Sequence, residues 1–101
     1  ANSQYEVAVD LPVVLSYSLS VAYPNPFNPV TTMDLTIPKT GNVNVQVYNL
    51  KGQVISTLLS GFKSADTYTL VWNATNAPSG MYFVKAEVGG FTETQKLMLI
   101  K

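Results

Sequence analysis

The segment Tyr23-Pro24-Asn25-Pro26-Phe27-Asn28-Pro29 limits what this chain can fold into more than any other stretch. A proline ring fixes φ near about −65° and removes a backbone donor. The residue before it is pushed toward extended conformations. Three prolines within six residues therefore exclude a helix, and equally the middle of a sheet. The segment reads as a stiff extended lead-in, with Tyr23 and Phe27 as aromatic anchors able to lie on a neighbouring surface. A proline-rich linker between domains has the same local chemistry, so the rest of the chain must decide.

Downstream the pattern is that of strands. Met33, Leu35 and Ile37 alternate with Thr32, Asp34 and Thr36, and Pro38 closes the run. Val43, Val45 and Val47 alternate with Asn42, Asn44 and Gln46, the mark of a half-buried antiparallel strand. Asn49-Leu50-Lys51-Gly52 then reads as a hairpin loop in which Gly52 takes φ > 0. Gln53 to Leu59 returns, and Ser60-Gly61 is expected to turn the chain again. Tyr68, Leu70 and Trp72 share one face of the next strand, and a polar loop leads from Asn73 to Ser79-Gly80.

Met81 to Val88 and Phe91 to Ile100 are joined by Gly89-Gly90, a two-residue hairpin link that sets a register. Val88 should face Phe91, Val84 Gln95, and Tyr82 Leu97. That register puts Glu93 and Gln95 on the inner face, which calls for a bulge or a sheet edge. About seven short strands with no helical period predict an all-β, Ig-like antiparallel β-sandwich. Upstream, Tyr5, Val7 and Val9 give a short strand signal, and Leu15, Tyr17, Leu19 and Val21 share the face of a second extended piece. Residues 1–18 are taken as a linker or extra strand and 19–101 as the domain.

Composition removes several function classes. Six lysines against six acidic residues, with no arginine, leave no basic excess for nucleic acid. Without His, Cys or Arg there is no His- or Cys-based triad, thiol nucleophile or arginine clamp, and zinc lacks its usual ligands. Ser60 or Ser64 beside Lys63 reads as a solvated loop, and no spacing resembles a calcium loop. No cofactor and no metal are expected. Asn73-Ala74-Thr75 fits the glycosylation acceptor pattern, a triplet common by chance. No apolar run is long enough for a membrane-spanning helix. Ala1 opens no signal-peptide pattern, and a start without Met suggests a piece of a longer protein.

Four blocks in order resemble the C-terminal sorting domain of the type IX secretion system, type A. The first is Tyr23-Pro24-Asn25-Pro26-Phe27-Asn28-Pro29-Val30-Thr31-Thr32. The second is Val47-Tyr48-Asn49-Leu50-Lys51-Gly52-Gln53-Val54, and the third joins Trp72-Asn73 to Ala77-Pro78-Ser79-Gly80-Met81-Tyr82-Phe83. The last is Gln95-Lys96-Leu97-Met98-Leu99-Ile100-Lys101. Two local departures stand out: Asp66-Thr67 occupies a place where many members carry Gly, and Gln95 one where Lys is common. The Ig-like domain of the flagellar hook-capping protein shares the middle blocks.

The resemblance implies a module that is not an enzyme. It would direct an N-terminally attached cargo from the periplasm of a Gram-negative bacterium across the outer membrane, to the cell surface or the medium. Its partners would be the outer-membrane shuttle and translocon and a sortase-like peptidase that removes the domain, itself a monomer. Lys96, Leu97, Met98, Leu99, Ile100 and Lys101 are the candidate address, read by strand addition or groove docking. Removing them should stop export while the domain stays folded. A strand that completes the sandwich is the plainer reading of the same residues. Other readings are an Ig-like spacer or cell-attachment module, or a sugar-binding module using Phe62, Tyr68 and Phe83.

Overall fold

A computed structural model of the chain describes residues 16–101. Seven strands run in order: β1 (Ser18–Leu19), β2 (Val30–Ile37), β3 (Gly41–Tyr48), β4 (Val54–Lys63), β5 (Asp66–Asn73), β6 (Gly80–Val88) and β7 (Phe91–Leu99). They form two antiparallel sheets, β1-β2-β5 and β4-β3-β6-β7. In the constant-type immunoglobulin arrangement the fourth strand joins the first sheet. Here β4 pairs with β3 instead, which gives the second sheet its four strands.

The alternation read from the sequence builds the core. Met33, Leu35 and Ile37 of β2 and Val43, Val45 and Val47 of β3 are all buried. So are Leu70 and Trp72 of β5, Tyr82, Val84, Ala86 and Val88 of β6, and Leu97 and Leu99 of β7. Each sheet covers the other's apolar face, as two amphipathic sheets must. The β6–β7 register is unbroken, with Val88 opposite Phe91, Val84 opposite Gln95 and Tyr82 opposite Leu97. β7 is an edge strand, so Glu93 and Gln95 sit at a sheet edge and need no bulge.

Two expectations need correction. Ser60-Gly61 does not turn the chain; β4 runs through it to Lys63, and Gly61 stands opposite Val43 with φ of 117°. Glycine alone takes that backbone easily, so a turn signal became strand. Val21 does not share the face of Leu19. It is 79 % exposed while Ala22 is buried, because the pairing with β2 slips by one residue between Leu19–Leu35 and Tyr23–Thr32, which reverses the alternation. The expected strand around Tyr5, Val7 and Val9, and Leu15 with it, lie outside the described residues.

Candidate functional site

The proline segment is not an extended lead-in. It bends between the two sheets, and the peptide bonds before Pro24, Pro26 and Pro29 are all cis. At its start Tyr23 forms an antiparallel bridge with Thr32 of β2. At its far end Phe27 forms a parallel bridge on the outer edge of β7, donating its N–H to Met98 O and accepting from Ile100 N, both at 2.9 Å. Prolines have no N–H to offer that edge, and Asn25 makes up the difference with its side chain. Its amide donates to Lys96 O at 2.9 Å, and its Oδ1 accepts from Met98 N at 3.0 Å. A carboxamide carries the donor and acceptor of a peptide group, so Asn25 acts as a strand residue without being one.

Other contacts hold the clip in place. Thr31 Oγ1 donates to Pro24 O at 2.7 Å, and Pro29 O accepts from Ala74 N at 2.8 Å. Gln95 accepts from Ala22 N and donates to Ser20 O, so an inward-facing amide satisfies the chain that covers it. Pro26 and Asn28 are exposed, and Pro29 is half-buried.

The two presumed aromatic anchors differ. Phe27 is buried, whereas Tyr23 is 81 % exposed. Phe27 meets Trp72 with ring centroids 5.4 Å apart, and Trp72 meets Tyr82 edge-on at 5.1 Å. Such tilted and edge-on pairs are favourable ring geometries. Tyr82 also donates from its hydroxyl to Pro78 O at 2.6 Å, four residues upstream at the corner between the sheets. This is the tyrosine-corner arrangement of Ig-like sandwiches. Phe27, Trp72 and Tyr82 are thus one cluster, drawn from three distant parts of the sequence.

Gly52 and Gly80 adopt φ of 80° and 150°, values that side-chain-bearing residues rarely take. Gly52 lies in the Asn49–Gln53 loop, where Asn49 Oδ1 accepts from Lys51 N and Gln53 N and the Asn49 amide donates to Gln53 Oε1. The loop is one residue longer than its sequence suggests, since Gln53 belongs to it and β4 begins at Val54.

The terminal block divides by parity as far as Leu99, where β7 ends. Leu97 and Leu99 are fully buried, Met98 is half-buried, and Lys96, Ile100 and Lys101 are exposed. Lys101 is tied back to the loop before β6, its N–H on Ser79 Oγ at 3.1 Å and its ammonium on Thr75 O at 2.7 Å. The outward backbone groups Lys96 O, Met98 N, Met98 O and Ile100 N are all taken by Asn25 and Phe27. Strand addition along Lys96–Ile100 therefore requires the clip to leave.

Asn49, Thr31, Ser79 and Gln95 were not singled out as site residues by sequence reasoning. All four stand in the blocks that carry the resemblance, and Gln95 carries a further signal as a polar residue at an inward position. Ala74 and Ala77 are buried in a loop that reads as polar. Asn73 keeps its side chain within that loop, accepting from the backbone N–H and hydroxyl of Thr75. Among the described residues no three His, Cys, Asp or Glu side chains gather, and the ion pair present is Lys85–Glu87 at 3.3 Å. The clip fixes the terminal strand and leaves part of it exposed.

In sequence comparison no curated protein matches the chain. A family model, described as the secretion system C-terminal sorting domain, matches residues 21–101. That span opens two residues before the proline clip and closes on Lys101, so it takes in both partners of the contact described above. The chain belongs to the C-terminal sorting domain family of the type IX secretion system.

Proposed function

We propose that the domain carries an attached cargo across the outer membrane through the type IX machinery and is then removed. The precursor reaches the periplasm by its own export signal, a shuttle and translocon bind the folded domain, and a sortase-like peptidase cuts on its N-terminal side. One observation supports this above others: the family match spans both the clip and the terminal strand, and these two blocks touch through Asn25 and Phe27. The address proposed is the outward half of the terminal block, Lys96, Met98, Ile100 and Lys101, held in one conformation by the clip.

Deleting residues 96–101 is a poor test, because it removes Leu97 and Leu99 from the core and would unfold the domain. The better test fuses the full chain behind a periplasm-targeted reporter in a bacterium that has the machinery. Export of the wild-type fusion, with loss on changing Lys96, Met98, Ile100 and Lys101 together to Ser, supports the reading, provided thermal melting stays cooperative. Wild-type fusion retained in the periplasm refutes the sorting role. Full export by the fourfold variant moves the address elsewhere on the domain.

A further inference from the structure

The outer face of the four-stranded sheet changes character along its length. Where Asn44, Glu87 and Thr92 stand in one cross-strand row, and Gln46, Lys85 and Thr94 in the next, the face is polar. That is normal for a sheet face turned to water. The following rows break the rule. Tyr48 stands opposite Phe83, and Phe83 opposite Lys96; beyond them Met81 stands opposite Met98. All point outward, since their chain neighbours Val47, Tyr82, Val84, Leu97 and Leu99 fill the core.

Leu50, 70 % exposed, projects from the neighbouring loop. With Tyr48, Gly52, Phe83, Lys85 and Thr94 it lines a hollow of about 370 Å³. Aromatic residues and Met are enriched at interface cores, and clustered apolar side chains on a soluble surface mark contact sites. Charge narrows the partner. The carboxylate of Glu87 is engaged by Lys85 at 3.3 Å, and no carboxylate of the described residues pairs with Lys96.

The edges of this sheet are less available than its face. The β7 edge is covered from Lys96 to Ile100 by the clip. The β4 edge is broken by register shifts at Leu58 and Ile55, the kind of irregularity that discourages strand pairing.

We propose that Tyr48, Leu50, Met81, Phe83 and Met98, bordered by Lys96, form the surface on which an export component docks. The partner is a protein that inserts an apolar side chain beside Phe83 and sets a carboxylate against Lys96. This rests on the sorting reading above and names how the domain is held. The assay is export of the full chain fused to a reporter, measured for Met81→Thr/Phe83→Thr, Lys96→Glu, Lys96→Arg, Leu50→Ser and, on the opposite sheet, Val71→Thr.

The double variant should cut export about tenfold or more, the effect of losing one central contact, and Lys96→Glu as much, because it sets like charge against the partner's carboxylate. Lys96→Arg and Val71→Thr should export like wild type. Leu50→Ser, on an exposed loop where folding is not at stake, should give a smaller but measurable loss. Wild-type export by the double variant overturns the proposal, as does equal loss in Val71→Thr or in Lys96→Arg. So does self-association of the isolated chain that the double variant abolishes, since the face would then serve a second copy. Binding of an oligosaccharide that Phe83→Thr abolishes would overturn it too. Failure of the wild-type fusion to leave the periplasm sinks the sorting reading first.

Discussion

Replacing Phe27 by Ala tests whether the proline segment belongs to the core or merely leads into it. Phe27 is 2 % exposed, its ring lies against Trp72, and its backbone bridges to β7. Truncating a buried Phe costs about 3–5 kcal/mol, counting both lost transfer energy and the cavity left behind. A domain of this size has about 5–15 kcal/mol in total, so about a fifth or more would go. At about 4–8 °C per kcal/mol the melting midpoint should fall by at least about 12 °C. Tyr23→Ala is the matched control, since that ring is 81 % exposed and surface changes stay within about ±0.5 kcal/mol.

Urea unfolding read by Trp72 fluorescence suits the comparison, because Trp72 is the sole tryptophan and lies 5.4 Å from the altered ring. Unchanged slopes with a lower midpoint for Phe27→Ala would locate the loss in stability and not in cooperativity. If the two variants differ by less than about 1 kcal/mol, the segment is a linker after all and the aromatic cluster contributes little.

Asn25→Ala should cost about 1 kcal/mol, since two exposed hydrogen bonds are exchanged for water. Its specific mark is faster amide exchange at Met98, whose N–H Asn25 accepts, with less change at Ile100, whose N–H bonds to Phe27 O. Gly52→Ala meets no atom within 4 Å, so its cost of about 1–2 kcal/mol should come from the backbone alone. Gly52→Asn, which tolerates φ > 0 better, should cost less in the same melting assay. Tyr82→Phe should lose about 1–2 kcal/mol by denaturant unfolding, since the part-buried Pro78 O loses its donor.

What the sequence makes legible follows from where a simple period operates. β2, β3, β5 and β6 each show one face to the core, so their alternation gives both strand and inward side. The Gly89-Gly90 link fixes a register, and Gly89 with φ of 56° supplies the backbone it needs. β4 is harder to read because Leu58 and Ile55 are extra residues in its pairing with β3, and each shifts the phase of the pattern. The clip carries no period. Nothing in Tyr23-Pro24-Asn25-Pro26-Phe27 says which ring is buried, because that depends on a strand some seventy residues away. Thr31 is hidden for a related reason: a fully buried hydroxyl looks like a surface residue until Pro24 O is seen to accept from it.

The same distinction separates folding from recognition in the blocks that carry the family resemblance. Phe27, Trp72, Tyr82, Leu97 and Leu99 are spent on the core, and Asn25, Gly52 and Gly80 on bends and edge pairing. A receptor can read none of the buried residues directly. What it can meet are their strand neighbours of opposite parity: Tyr48 beside Val47, Met81 and Phe83 around Tyr82, and Lys96 and Met98 around Leu97. Strand geometry turns successive side chains to opposite faces. One block can therefore fold with every second residue and display the others. Substitutions along such a block should then alternate in effect, inward ones lowering stability and outward ones lowering export at constant stability. Paired measurements of both quantities at Leu97 and Met98 would show it most directly, since the two are adjacent in chain and opposed in direction.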